Sequence, residues 1–490
     1  MRHAPPPAAT SAATSAATPA PGPARIDLAA AARAARTRRL LEGPIGPTLA
    51  RLAAPNILAM LVTAAVSIAE GSFAGRLGVT ELAGLALVFP LVMLTQMLSA
   101  GSIGGAISAA VARALGAGEP GRAAALALAA WIVAAALALA SALLMAAFGA
   151  AGFAALGGAG GPGEAALAYA AVFFPGCIAL WLCHATLSVI RGSGDMLTPS
   201  LVLAAVALGS IPLSGALALG WGPFPALGMA GLAWGPVLAH ALGAAVGLGH
   251  VLSGRAGLSF RGRAARPRPA QFADILRVGG VASLSALQTV VTVVLITGLV
   301  ARHGGADGLA GYGLGARLEF LMVPVVFGIG AAMTAMVGAN IGAGRPDRAL
   351  RVAWTGSLAA AAIVGSVGAA VALAPDLWLR LFLGASETAA LEAGRAYFRT
   401  VAPVYALFGL GLALYFASQG AGRVGWPVAA GFARLAVAVG GAALLADAAG
   451  LGLAGVFVGI AAGMTVYGLG TAAALRMTGW GPRRAAAAVA

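Results

Sequence analysis

Runs of apolar residues, each about 20 long and so able to cross roughly 30 Å of hydrocarbon as α-helix, follow one another between Thr48 and Met477. Inside lipid the backbone must satisfy its own hydrogen bonds. Runs this long that do not alternate polar with apolar exclude a barrel, so the spans are helices. Only 9% of the 490 residues are charged, against about 25% in a soluble domain. The 72 glycines, mixed with alanine throughout, would weaken helices in water but let membrane helices approach closely.

Six spans are predicted near residues 48–69, 83–112, 123–148, 165–190, 198–219 and 228–252. Six more are predicted near 273–300, 309–340, 350–374, 389–417, 426–446 and 451–476. This divides the chain into a tail (1–47), a first unit (48–252), a linker (253–272), a second unit (273–476) and a closing tail (477–490). The linker carries Arg255, Arg261, Arg263, Arg266 and Arg268 with Pro267 and Pro269. The first 24 residues are Ala, Pro, Ser and Thr repeats and read as disordered. Residues 26–42 read as a short helix whose Arg33, Arg36, Arg38 and Arg39 suit an anionic membrane surface or simply a solvated tail. An organelle transit peptide is a further reading, and no cleavable secretory signal is expected, because residues 1–47 hold no apolar core.

The two units echo each other. Gly116-Ala117-Gly118-Glu119-Pro120-Gly121-Arg122 returns as Gly342-Ala343-Gly344-Arg345-Pro346-Asp347-Arg348, an offset of 226. At the same offset Arg76, Ser108 and Val111 answer Arg302, Thr334 and Val337. Tyr169, Pro175, Gly192, Gly194 and Pro199 answer Tyr397, Pro403, Gly420, Gly422 and Pro427 at an offset of 228. A register held this long marks an internal duplication of about 200 residues.

The formal net charge of +15 comes wholly from arginine, since the chain has no lysine. The arginines gather at alternate connections, which argues for membrane topology rather than nucleic-acid binding. The tail, the linker, Arg113, Arg122, Arg191, Arg277, Arg345, Arg348, Arg351, Arg423, Arg476, Arg483 and Arg484 share one side. Arg76, Arg302, Arg380, Arg395 and Arg399 take the other. Both termini are therefore expected in the cytoplasm. Six being even, the units should share one orientation, a parallel repeat. In each Gly-Ala-Gly turn glycine permits left-handed backbone, proline delays the next helix, and arginine anchors the turn at the membrane interface.

Twelve spans in two repeats, with Gly-Ala-Gly-Xaa-Pro-Xaa-Arg after the second and the eighth, resemble the multidrug and toxic compound extrusion (MATE) transporters. Arg191-Gly192-Ser193-Gly194-Asp195 followed by Pro199, and Ala74-Gly75-Arg76-Leu77-Gly78 closing the first span, are also MATE-like. The resemblance covers about residues 48–476. It implies an all-α polytopic membrane protein, twelve transmembrane helices in two parallel six-helix repeats forming V-shaped lobes. It also implies a secondary antiporter of the inner membrane that exports amphipathic or cationic organic compounds against H+, or else Na+, with no cofactor. Partners would be small organic substrates and membrane lipids, with no nucleic acid, and the protein would be monomeric. The rival reading is a flippase for lipids or lipid-linked saccharides, a class that lines its cavity with basic residues; no convergent catalytic set points to an enzyme.

Glu70 ends a span that otherwise reads Leu, Val, Ala and Ile, where MATE proteins carry an aspartate before the Gly-Arg-Leu-Gly turn. A carboxylate deep in a bilayer costs about 2.5–3.5 kcal/mol, so it is kept with a partner or a job. Coupling is one reading, and snorkelling beside Arg76 the other. Glu319 is the second coupling candidate. Arg317, two residues away and on the opposite helix face, is a possible counter-ion for Glu319 or Glu70. Two family cation sites are altered: Ser210 and Ser214 stand where one branch has Asn and Asp, and Gln288 or Thr289 and Phe408 stand where another has carboxylates. Gln96 joins the candidates as an intramembrane polar residue. His184, His240, Asn340 and Arg434 are read as helix-to-helix hydrogen bonds rather than ligands. Cys177 and Cys183, six apart on one helix, fall on different faces and do not make a metal site with His184.

Overall fold

The computed structural model describes residues 28–158, 160–258, 260, 266–384, 386–478 and 480. The stretch read as disordered, the transit-peptide reading, Arg261, Arg263 and residues 481–490 lie outside them. After α1 (Leu28–Glu42) the first six spans are α2 (Ile45–Leu77), α3 (Val79–Gln96) continued through a π-turn into α4 (Gly104–Gly116), α5 (Pro120–Ala155), α6 (Gly161–Gly192), α7 (Leu197–Leu219) and α8 (Gly228–Leu252). The next helix, α9 (Pro269–Gly342), supplies two spans, because its backbone leaves the helical region at Gly305 (φ 57°, ψ −150°). Then come α10 (Pro346–Leu373), a short α11 (Asp376–Leu379), and α12 (Thr388–Val401) running through a 3₁₀ turn into α13 (Tyr405–Gly420). The eleventh span combines α14 (Gly425–Leu435) and α15 (Gly441–Ala443) with two π-turns, and α16 (Gly452–Thr478) is the twelfth. Pro403 lies in the turn between α12 and α13, where its missing N–H and its ring interrupt the α-helical ladder.

The repeat seen in the sequence is present as repeated contacts. Gly84 of α3 packs against Pro162, Ala165 and Ala166 of α6, and Gly311 of α9 packs against Ala390, Ala393 and Gly394 of α12. The two turns also match. Gly118 (φ 77°) and Gly344 (φ 70°) take left-handed backbone, and Glu119 N donates to Ala114 O just as Arg345 N donates to Asn340 O. Pro120 and Pro346 then open α5 and α10 at a position whose N–H has no helical partner.

The lobes meet through the same elements used twice. A side chain at Gly116 would collide with the carbonyl of Ala339, and one at Gly342 would collide with the carbonyl of Arg113. Residue i of one copy thus meets residue j of the other, and j meets i, the signature of a two-fold joint. Around it Arg113 Nη1 donates to Gly420 O (3.1 Å) and Gln419 Nε2 to Gly101 O and Ser102 O (3.2 and 3.0 Å). Gly101 and Ser102 belong to the π-turn Met97–Ile103, whose irregular hydrogen bonding leaves carbonyls available to an outside donor. The glycine seats and Arg113 lie at the end of α4 that faces the linker, and the Gln419 contacts lie farther along the same seam.

Arg122 and Arg348, read from the sequence as interface anchors, reach across to the opposite lobe or its entry segment. Arg122 joins Arg113 on Asp274 at the start of α9 (3.2 and 2.9 Å). Arg348 donates to Gly43 O, beside Arg345 to Leu41 O (3.3 Å) and Asn340 to Leu40 O (3.1 Å). Each turn is therefore held by the segment that leads into the other lobe's first span.

Candidate functional site

In the first lobe, α2, α3, α6, α7 and α8 enclose a cavity of about 50 Å³. A space of this size takes a few water molecules or a bare cation, and is small for a large organic molecule in this conformation. Three sequence candidates from three helices converge on it: Glu70 of α2, Gln96 of α3 and Ser210 of α7. Glu70 is 8% exposed and has neither ion pair nor hydrogen bond among the described residues. Arg76, the partner in the snorkelling reading, is exposed. Ser210 gives its proton to Ala207 O of its own helix (2.9 Å), so its oxygen remains an acceptor toward the cavity.

Tyr169, Phe173, His184 and His240 complete the polar and aromatic wall. Ser99 Oγ lies 2.8 Å from His184 Nδ1. His240 Nδ1 donates to Pro236 O (2.7 Å), which leaves Nε2 as the free ring nitrogen. The two imidazoles meet edge to face with centroids 5.5 Å apart. Sequence reasoning weighed each histidine alone and missed the pairing, because residues 56 positions apart carry no local signal of contact.

The remaining candidates lie elsewhere. Ser214 donates to Leu232 O (3.2 Å) and stitches α7 to α8. Gln288 is buried in the second lobe, where its amide meets Thr292 Oγ1 on the same helix (2.9 Å). Glu319 accepts from the Tyr397 hydroxyl, with Tyr312 packed edge to face on Tyr397 (5.7 Å). Arg317 is exposed, with its guanidinium 5.8 Å from the Phe382 ring centre, and forms no ion pair with Glu319 or Glu70 among the described residues. Tyr169 and Tyr397 are repeat partners, and each faces a carboxylate, although Glu70 and Glu319 come from non-equivalent spans. That shared tyrosine was the signal available in the sequence. Cys177 and Cys183 are free and buried.

The MatE family model matches residues 55–214 and, a second time, residues 282–444. The chain belongs to the MatE family. This MatE protein is thus a membrane transporter and not an enzyme. It is 26% identical over 341 residues to a probable multidrug resistance protein NorM of Thermotoga maritima, covering 68% of this chain and 71% of that protein. It is 24% identical over 315 residues to an FAD transporter of Shewanella oneidensis, covering 63% and 68%. Among solved structures, a MOP superfamily transporter from Pyrococcus furiosus superposes with TM-score 0.82 at 24% identity, covering 90% of this chain and 97% of that one. A MATE in complex with MaL6 superposes equally well, TM-score 0.82 at 25% identity with the same coverage. The two matches fall one in each repeat, with residues 215–281 between them.

Proposed function

We propose that this MatE protein is a proton-coupled exporter of amphipathic, largely cationic organic molecules. Residues 48–252 and 273–476 would rock about the 253–272 linker in the inner membrane, with both termini cytoplasmic. The observation that carries the reading is Glu70: a buried carboxylate without ion pair or hydrogen bond among the described residues, in a small polar chamber. Its charge can be answered only by a proton or by a bound cation. Loading a proton removes the charge, a cationic substrate favours it, and the two compete, as exchange requires. One charge moving down 100 mV supplies about 2.3 kcal/mol, enough for roughly a 50-fold gradient. The chamber must widen to admit an organic molecule, which fits alternating access rather than a fixed pore.

The test is ethidium efflux from energised vesicles. Glu70→Gln is expected to reach the membrane and lose proton-driven efflux, while Glu70→Asp keeps part of it. Normal rate and normal pH dependence in Glu70→Gln would overturn the reading, and loss in Glu319→Gln alone would move coupling to the second lobe. The relative that transports FAD favours a second reading, export of an acidic dinucleotide. Flavin accumulation by the same vesicles, with no ethidium movement, would select it.

A further inference from the structure

The second lobe holds a guanidinium in an aromatic corner. Arg434 Cζ of α14 lies 5.1 Å from the ring centre of Phe408 of α13 and 5.8 Å from that of Tyr467 of α16. The two rings are themselves 6.4 Å apart. Ring faces attract a cation placed within about 6 Å. Beside this corner Glu319 of α9 accepts from the Tyr397 hydroxyl of α12, on which Tyr312 of α9 packs edge to face, and Arg434 is near enough for its charge to reach Glu319 and Tyr312. Among the described residues Arg434 makes no hydrogen bond or ion pair. Rings, a carboxylate and hydroxyls are what a small cation needs, and here the cation is attached to the chain.

The repeat shows what replaced what. In the first lobe Gly231 seats on Leu217 and Ala218, and Gly235 on Ser214; in the second, Gly455 seats on Leu445 and Ala446, and Gly459 on Ala442. These seats fix the register of the last two spans in each lobe, an offset of 228 on one and 224 on the other. In that register Arg434 answers Val206, a wall residue of the Glu70 chamber, and Tyr467 answers Gly243, which packs on Val206. An apolar contact in one copy has become a cation on a ring in the other.

We infer that Arg434 is a built-in cation filling a small-cation site of the second lobe, so that Glu319 needs no exchangeable ion and coupling is left to the first. The inference rests on the proposed role of Glu70 for its second half only. The occupied site can be tested without any transport. The purified full chain, Arg434→Ala and the double variant Glu319→Gln/Arg434→Ala are heated in detergent with methylguanidinium or with the bulky N-methylglucamine at equal ionic strength. Methylguanidinium at about ten times its dissociation constant should raise the Tm of Arg434→Ala by about 2 °C, and leave the parent and the double variant unmoved. An equal response in the parent, or in the double variant, overturns the inference. If Arg434→Ala fails to fold while the double variant folds, the carboxylate's need for the cation is shown by that difference. If both fail, Arg434 is held for packing and the inference is wrong. Failure of the Glu70 tests would leave these results standing.

Discussion

Arg113 and Asp274 meet at 2.9 Å across the joint of the two lobes, an arginine of α4 on a carboxylate of α9. Both are mostly shielded, with side chains 13% and 24% exposed, so the contact is less screened than a surface ion pair. Asp274→Asn keeps the shape and removes the charge. Losing about 1.5 kcal/mol of charged hydrogen bonding should raise the population open at the linker end about tenfold. Spin labels at the exposed positions Ala117 and Asp347 would report it as a longer inter-lobe distance, and an unchanged distribution would remove Asp274 from the closure.

The reciprocal glycine seats make a symmetrical demand. Gly116→Ala and Gly342→Ala each push a methyl into a backbone carbonyl of the other lobe, and overpacking of this kind costs about 1–3 kcal/mol. The two variants should lose thermal stability in detergent to similar extents. A loss confined to one of them would show that only one seat is engaged.

At the opposite end, Asp376 takes Arg395 (2.7 and 2.8 Å) and Arg380 (2.9 Å). Hydrogen bonds from Arg395 and then Arg380 hold its carboxyl well below the usual carboxylate range. A group depressed on folding stabilises fully above its unfolded value, about 3.9, and loses that contribution as pH falls below it. Amide protection of residues 377–384 should thus exceed that of Asp376→Asn by a constant margin down to about pH 5, and the margin should shrink in stronger acid. A margin that already shrinks between neutrality and about pH 5 would contradict the clamp.

Orientation can be read at the α7–α8 connection, where residues 221–227 are exposed. Phe224→Cys is expected to react with an impermeant thiol reagent from the periplasmic face. Cys177 and Cys183 are buried and should stay silent. Labelling only from the cytoplasm would invert the topology.

Much of the fold was legible because duplication and apolar length are properties of the chain itself. The span predicted at 228–252 coincides with α8 (Gly228–Leu252), and that at 198–219 nearly so with α7. The offsets of 226 and 228 reappear as paired turns and paired seats. The predicted ends fell short where helices run past the apolar run, as at α2, which continues to Leu77 through Gly-Ser-Phe-Ala-Gly-Arg. The site was legible only in part. Glu70, Gln96 and Ser210 were flagged singly for polarity inside spans, but their meeting depends on how α2, α3 and α7 pack. Asp274 went unnoticed because an acid at a helix start is ordinary until its partners, 161 and 152 positions away, are in view. Arg434 was read as a helix-to-helix hydrogen bond, because the two rings of other helices that lie against it leave no mark in the local sequence.

Where the joint is seated backbone to backbone, at its two glycines, it has no soft part. Where side chains line an interface, small rotamer changes let it slide by degrees. At Gly116 and Gly342 there is nothing to rotate between one helix and the carbonyl of the next. Such a seam is either shut or parted, with no stable position between. Single-molecule traces across it should therefore step between two levels, however gradually the driving gradient is raised.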